Sequence, residues 1–586
     1  MSDSQDYLNK LRHSASHLLA AAVLTHFPNA KPTIGPAIEN GFYYDFDFGE
    51  SSISESDLEK IESTMHEIVA GWNSFERKEV SKEEALDQFK DNEYKKELIN
   101  EFSDDGTQLT LYTSGEFTDL CRGGHIDNPA EELKAFKLLS IAGAYWKGDE
   151  HKTMLTRIYG TAFPTQAELD EHLEALAKAR ENDHRVLGQK LDLFAFSDLV
   201  GPGLVMYTPK GTIVKNELRD AVMEASKEFG AQEVNIPHMA KIDLYKTSGH
   251  AEKFEDELFH VTTHYKDEFV LKPVNCPHHT QIYASRPRSY RDLPIRYVES
   301  TQQHRDEKPG SMGGLNRTRS FEIDDGHTFC TVDQIEEEAR NLVKTIEKFY
   351  TSLGMWGDHW VSLSFRDPNT PEKYIGDEAG WEKAQNLLQK INDELNLGGK
   401  IMEGEAALYG PKIDIMLKDS LGNDRQLGTV QIDFAMPERF GLTYTDKDGT
   451  EKTPVMIHRA ILGSYGRFIA NLIESTGGAF PVWLSPVQAK ILPVTDDQIE
   501  YAQSVSEKLQ HSNIRVEVDD RSERLQAKIR DAQLEKVPYM LIVGKREAEA
   551  SSVAVRKRTG EDIGAVQIDQ FIKDTKQIID SRAREL

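Results

Sequence analysis

The sequence predicts an α+β protein in three parts: a mixed helix and strand region, a central region on an antiparallel sheet, and a C-terminal α/β region. Three observations lead there. The 586 residues exceed what one hydrophobic core organises, at roughly 150 residues per domain. Runs between about 188 and 480 alternate apolar and polar residues with period two, the mark of half-buried antiparallel strands. After PVWLSPVQ the pattern becomes strand, helix, strand, helix, strand, helix, as a partly parallel sheet requires.

In chain order, the first region opens with a helical stretch (LNKLRHSASHLLAAAVLTHF), followed by a Pro/Gly-punctuated segment and further amphipathic helices. Ser56 with Glu59 and Ser81 with Glu84 place a hydroxyl and a carboxylate three apart, which predicts two helix starts. Thr165 and Glu168 repeat the device and open a connecting helix over 166 to about 187, with Leu169, Leu173 and Leu176 as its apolar stripe. Apolar positions 214, 218, 221, 225 and 229 predict a helix ending at Gly230, then a strand containing Pro237, hence at a sheet edge or an interface. The predicted limits are 1–165, 166–187, 188–480 and 485–586, with no internal repeat.

Composition narrows the class. No apolar run approaches the ~20 residues of a membrane span. The N-terminus has no basic stretch followed by an apolar one, and three cysteines (Cys121, Cys276, Cys330) make no disulfide framework, so the expected compartment is the cytoplasm. A net charge of −28 argues against a simple nucleic-acid coat protein. Residues 485–586, however, hold 17 Lys+Arg against 18 Asp+Glu, so this nearly neutral end can meet a polyanion through local basic clusters.

The segment RYVESTQQHRDEKPGSMGGLNRTRSFEIDDGHTFC reads as two strands joined by a Gly-rich loop. Period two places Arg317, Arg319, Phe321, Ile323, Asp325 and His327 on one face of the second strand. Arginines suit phosphate, an aromatic ring suits a nucleobase, and a carboxylate beside a histidine suits a metal or a polar substrate group. Arg305, ending the first strand, can aim at the same place. A solvated, salt-bridged face has the same pattern, and pattern alone leaves both readings open. NCPHH (Cys276, His278, His279) and MIHRAILGSYGRF (His458, Arg467) add thiol and imidazole. No CxxC or HExxH spacing occurs, so a zinc site has to be assembled from distant segments, and a lone cysteine serves equally as a small buried hydrophobe. His13 and His17 stand four apart on one helical face, Cys121 and His125 stand four apart in TDLCRGGHIDN, and the two pairs can converge. HSASH lacks the glutamate of a zinc protease, which argues against peptide hydrolysis.

Together the HRDE hairpin, RTRSFEIDDGHTFC, NCPHH, LYGPKIDI, QLGTVQIDF and MIHRAILGSYGRF resemble the threonyl-tRNA synthetases of class II, in the family's order and over essentially the whole chain. The resemblance implies a class II synthetase-like core on an antiparallel sheet, with an N-terminal editing domain and a C-terminal anticodon-binding domain. It implies an ATP-dependent ligase that makes threonyl-adenylate, transfers L-threonine to tRNA(Thr), uses Mg2+ with ATP, and forms a homodimer through the long helix and the Pro-containing strand. Cys276, His327 and His458 would hold one Zn2+ per subunit, open to the substrate's amino and hydroxyl groups, with Asp325 accepting from the hydroxyl. Arg305, Arg467 and Arg317 would meet the ATP phosphates and Phe321 the adenine, while Tyr409, Lys412, Gln426 and Gln431 complete the walls. His250 in KTSGHAEKF would sit near the terminal ribose of the tRNA and assist transfer.

Serine differs from threonine by one methyl, for which binding discriminates by only about 1–3 kcal/mol. The resemblance accordingly implies a second site that hydrolyses seryl-tRNA(Thr), built from His13, His17, Cys121 and His125 with Asp119 and Tyr44 as neighbours. Those ligand types allow zinc, whereas bacterial-type members of the family work there without it. Glu547, Arg556 and Arg558 are the expected anticodon contacts, against the plain alternative of charges on an exposed strand. The sequence departs from the family pattern at Ile323 (glutamine expected), His278 (glycine), Gly466 (an acidic residue) and in opening almost directly at the HxxxH helix, without the additional small domain of most bacterial members. Two other readings compete. A class IIa synthetase for serine, proline or histidine is opposed by the Cys276/His327/His458 set and the editing-like region, and a non-catalytic RNA-binding relative by the retained Arg305, Phe321 and Arg467.

Overall fold

A computed structural model describes residues 2–586 apart from 39, 150, 358, 421 and 585, with backbone alone for 2–5 and 309. The chain divides into two units, Met1–Ala177 and Lys178–Leu586.

In the first unit, helix α1 (Ser2–His26) buries Leu11, Ala15, Leu18, Ala22 and Val23, a 3.6-residue stripe facing the core. It packs with Phe42, Tyr44 and Phe46 of strand β1 (Gly41–Asp47) and Ile61 and Met65 of helix α2 (Leu58–Val69). The capping device at Ser81 is present: Glu84 N–H donates to Ser81 Oγ at 3.2 Å, Ser81 N–H donates to Glu84 Oε2 at 2.9 Å, and helix α3 (Lys82–Gln88) follows. The pairing expected of Ser56 and Glu59 is corrected. Ser54 N–H donates to Asp57 Oδ2 at 2.9 Å, a short 3-10 turn intervenes, and α2 begins at Leu58. Helix α4 (Glu93–Asp104) and strand β2 (Phe117–Leu120), the latter in a three-stranded sheet, supply further site residues. Strands β3 (Ala135–Tyr145) and β4 (Met154–Phe163) complete a five-stranded sheet with β1.

The connecting helix is two helices. Helix α5 (Gln166–Asn182) opens with the predicted Thr165 and Glu168 cap, Thr165 N–H donating to Glu168 Oε2 at 3.0 Å. It stops at Asp183, which leaves helical geometry and accepts Arg185 N–H at 2.8 Å, so helix α6 (His184–Lys190) starts afresh. Helix α7 (Pro209–Glu228) buries Val214, Leu218 and Ala221 and ends before Gly230 at φ +82°, as the pattern predicts. Strand β5 is only Gln232–Glu233, so Pro237 lies beyond it, while β5 itself does form the sheet edge.

The central sheet has eight strands in the order β5, β6 (Ile295–His304), β7 (Ser320–Cys330), β12 (Val455–Ala460), β11 (Asp424–Asp433), β10 (Lys412–Lys418), β8 (His359–Phe365), β9 (Lys400–Glu403). The pairs are antiparallel except at the two ends, where β5–β6 and β8–β9 run parallel. Its two faces differ because side chains alternate along each strand. Leu363, Ile413, Ile415, Val430, Ile432 and Ile457 join the main core with residues of α7, α9 (Ile335–Ser352) and α10 (Tyr465–Thr476). Lys412, Asp414, Gln431 and His458, at the alternating positions, share the other face. Helix α8 (Cys276–Ala284) supplies a further side chain to the site.

The last lobe is a five-stranded sheet in the order β14 (Val516–Val518), β13 (Ala489–Pro493), β15 (Tyr539–Val543), β16 (Ser552–Lys557), β17 (Asp562–Gln567). The first three are mutually parallel, as the sequence predicts, and the terminal antiparallel hairpin is additional. Among the described residues, no helix is long and apolar enough to cross a membrane.

Candidate functional site

Strand register assembles the central site. His327 stands opposite His458, His458 opposite Gln431, and Gln431 opposite Lys412, one transverse row across four strands. Members of such a row point to the same face. At one end, Sγ of Cys276 joins the ring nitrogens of His327 and His458, all within 4.8 Å of one another and all buried. His327 Nε2 faces His458 Nδ1 at 3.0 Å. The far nitrogen of His458 is held by Asp433 Oδ2 at 2.9 Å, which places its proton there and turns the Nδ1 lone pair to the cluster. The far nitrogen of His327 meets His279 Nδ1 at 2.7 Å. This donor set fits zinc: one thiolate and two oriented imidazoles are three protein ligands, which leaves a tetrahedral ion one open position. Asp325 lies beside it, its Oδ2 accepting from Asn275 Nδ2 at 2.9 Å. Tyr409 stacks on His458 with centroids 4.2 Å apart and donates to Gln431 Oε1 at 2.9 Å.

Beyond this end, a cleft of about 250 Å³ is lined by Arg305, Arg317, Phe321, Ile323, Gln426, Gln431 and Arg467 among others. Arg305 lies over the Phe321 ring at 5.4 Å. Burial and the like charges of Arg305, Arg425 and Arg317 push the Arg467 guanidinium down to about 10, as expected of cations gathered without enough anions. Glu307 offsets part of this, 2.7 Å from Arg317. Arg467 is aimed by main-chain carbonyls, its Nε donating to Asn316 O and its Nη1 to Gln426 O, each at 3.2 Å. Lys412 and Gln426 meet on one carboxylate, Asp414, at 3.0 and 2.9 Å. The expected arginine face is corrected at two residues: Arg317 and Arg319 both precede β7, and while Arg317 still lines the cleft, Arg319 turns to donate to Glu307 O. His250 is buried, with Nδ1 2.9 Å from Ser248 Oγ and its ring 6.4 Å from that of Tyr409. Burial, His458, Arg305 and Arg439 push it down to about 3, so it is neutral at ordinary pH.

In the first unit, the two pairs four apart do converge. His13 stacks on His125 at 4.4 Å, His17 meets both edge-on, and Cys121 Sγ lies 3.5 Å from His13 Nε2 and 3.3 Å from His125 Nε2. Behind them Asp119 accepts from Tyr44 OH and pairs with Lys95 Nζ, each at 2.5 Å. His13, His17, Cys121, Asp119 and Lys95 line a cavity of about 370 Å³. Burial is the leading cause that depresses all three imidazoles, His125 to about 2, and lifts the Cys121 thiol to about 11. The centre is thus a set of neutral lone pairs.

Family models match three stretches of the chain. Residues 259–476 match a tRNA synthetase class II core domain (G, H, P, S and T), 488–578 an anticodon binding domain, and 109–159 the second additional domain of threonyl and alanyl tRNA synthetases. The threonine–tRNA ligase of Halalkalibacterium halodurans is 45% identical over 97% of this chain and 89% of its own length, and that of Gloeobacter violaceus 47% over 96% and 91%. The chain belongs to the threonine–tRNA ligase family. Among solved structures, the RNA binding domain of threonyl-tRNA synthetase from Cryptosporidium parvum is similar at a TM-score of 0.63, with 38% identity over 67% of this chain and 98% of that one.

The departures from the family pattern acquire physical content in the structure. Gly466 leaves room for the Leu315 carbonyl, which an added Cβ would approach to 3.1 Å. His278 is buried beside Tyr245, and burial pushes it down to about 4. Ile323 lines the cleft itself. In the anticodon-binding region, Glu547 caps Gly544 N–H at 2.9 Å and Arg556 lies on β16. Arg558 is corrected: its guanidinium serves the carbonyls of Phe480, Ala479 and Lys536, which makes it a half-buried structural residue rather than an exposed base contact. Sequence reasoning missed Asp433, Asp414 and Lys95, and it grouped His279 with the thiol and imidazole donors without placing it behind His327. Lys95 carried no signal, since a lysine on an amphipathic helix reads as solvated.

Proposed function

We propose the following division of labour for the aminoacylation and editing reactions of this ligase, carried by the single row His327–His458–Gln431–Lys412, which joins a metal-type donor set to a cationic cleft. Cys276, His327 and His458 would hold zinc, which would supply open coordination for the amino and hydroxyl groups of threonine. Asp325 accepts the hydroxyl's hydrogen bond. Arg305, Arg317 and Arg467 take the phosphates, with Mg2+, and Phe321 the adenine ring. The threonine carboxylate then attacks the α-phosphate in line: the new O–P bond forms as the bond to pyrophosphate breaks. Positioning and charge compensation account for the rate, with no protein nucleophile. In transfer, the terminal ribose hydroxyl attacks the acyl carbon and AMP leaves, with neutral His250 placed to assist. Glu547 and Arg556 are the proposed anticodon contacts, and edge strand β5 with α7 is the proposed homodimer surface.

Exchange of pyrophosphate into ATP, driven in turn by threonine, serine and valine, tests this reading on zinc-replete protein. Strong threonine, weak serine and almost no valine signal is expected, because a site built around a hydroxyl rejects the analogue lacking it by roughly 10⁴–10⁵. Valine exchange rivalling that of serine overturns the zinc reading.

At the second site, the proposed work of His13, His17, Cys121 and His125 is to position water on the seryl ester. Burial holds His125 near 2, pushes His17 well below its ordinary value and lowers His13, so His17 and His125 are neutral where an ordinary histidine takes up its proton. Seryl-tRNA deacylation is therefore expected to lack the acid-side break of a histidine with an ordinary value near 6.5, and to be lost in His17→Ala. A clear break near that pH, or an unaltered rate in the variant, removes the assignment.

A further inference from the structure

Helix α6 opens with His184, which is 3% exposed and 290 residues from its partner Glu474 on α10. Its Nδ1 lies 2.6 Å from Glu474 Oε1. A carboxylate acceptor fixes the imidazole proton on Nδ1, which leaves a lone pair on Nε2. Leu315 N–H donates to that lone pair at 3.0 Å. Glu474 is itself held, accepting His184 N–H through Oε1 at 3.3 Å and Ser420 N–H through Oε2 at 3.0 Å. Burial pushes its carboxyl up, but these hydrogen bonds outweigh it and keep the group below its ordinary value. Asp183, His184 and Glu474 lie close enough together to resemble a cation site. Both ring nitrogens are nevertheless occupied by protein groups, and the Asp183 carboxylate serves Arg185, so the cluster is a latch.

What it latches is the Gly-rich loop between β6 and β7. Gly314 has φ +58°, and a Cβ there would come within 2.3 Å of His184 Nε2. From the other side, Gly466 lets the Leu315 carbonyl close on α10. The following residue, Asn316, presents the carbonyl that aims Arg467, and the one after it, Arg317, lines the cleft. We propose that His184, locked in one tautomer by Glu474, is a positioning residue for ATP: through Leu315 it sets the loop that orients Arg467 and Arg317. This rests on reading the cleft as the ATP site.

The test is pyrophosphate exchange by the full-length protein, with KM measured separately for ATP and threonine and thermal melting recorded for each variant. His184→Ala takes the acceptor from Leu315 N–H and the ring donor from Glu474, and KM for ATP is expected to rise about tenfold with KM for threonine unchanged. His184→Gln, whose amide retains one donor and one acceptor, is expected to recover most of the loss. Gly314→Ala is expected to reproduce it while leaving His184 in place. An unaltered KM for ATP in a folded variant, or a parallel rise for both substrates, overturns the proposal. Should His184→Ala fail to fold, His184→Gln and Gly314→Ala decide by the same comparison, an unaltered KM for ATP in Gly314→Ala overturning it. No exchange in the parent protein overturns the ATP reading of the cleft instead.

Discussion

Cys276→Ala is expected to release the zinc and to lower threonine-dependent exchange by roughly 10³-fold, about 4 kcal/mol of transition-state stabilisation. Two imidazoles alone are a poor site for a metal that takes three protein ligands, so loss of the thiolate costs the ion itself. Asp433→Asn is the graded companion. It keeps the buried shape and the acceptor that caps Ala435 and Met436 N–H at 2.8 Å, but weakens the group that orients His458. Removing such a partner typically costs about 10–100-fold in metal affinity, so Asp433→Asn is expected to lose zinc to a chelator that leaves the parent loaded. Metal analysis after dialysis reads both variants, and a Cys276→Ala protein that retains one zinc per chain and full exchange refutes the assignment.

Arg467→Ala is expected to lower exchange by about 10²–10³-fold, the usual cost of one preorganised group that stabilises developing charge, about 2.7–4 kcal/mol. Arg467→Lys is expected to recover little, because an ammonium cannot hold both the Asn316 and Gln426 carbonyls and still present a planar fork to a phosphate. The same change is expected not to lower the melting temperature. Burial and three neighbouring arginines already disfavour the charged guanidinium in the folded protein, so its removal relieves a cost. A variant that keeps activity but melts earlier would show Arg467 to be a strut.

Much of this centre was legible because β7 displays its chemistry at every second position: Phe321, Ile323, Asp325 and His327 needed only strand alternation to be grouped. His13 with His17 and Cys121 with His125 were legible as pairs for the matching helical or loop reason. The supporting groups were not. Asp433 reaches His458 across neighbouring strands, His279 reaches His327 from a separate helix, and His184 meets Glu474 across 290 positions, so each becomes visible only when register and packing are known. The break at Asp183 was hidden because the charged, helix-favouring residues on both sides read as one rod, and only the departure of one residue from helical geometry divides it. Arg558 read as a charge on an exposed strand, whereas it lies in the turn after β16 and three inter-segment carbonyls claim it.

The transverse row from His327 to Lys412 makes the sheet a ruler. Neighbouring strands lie about 4.8 Å apart, so its four strands fix a length of roughly 14 Å across the floor that carries the His327 and His458 donors and the Gln431 wall of the cleft. That length changes only in whole strands. Redesign toward a larger amino acid must therefore trim side chains such as Tyr409 or Gln431, since the ladder itself does not stretch. A single-residue deletion within β11 or β12 would act differently from any substitution: it inverts the strand, sends the reading marks into the apolar core, and brings Val430 or Ile457 to the face where the substrates meet.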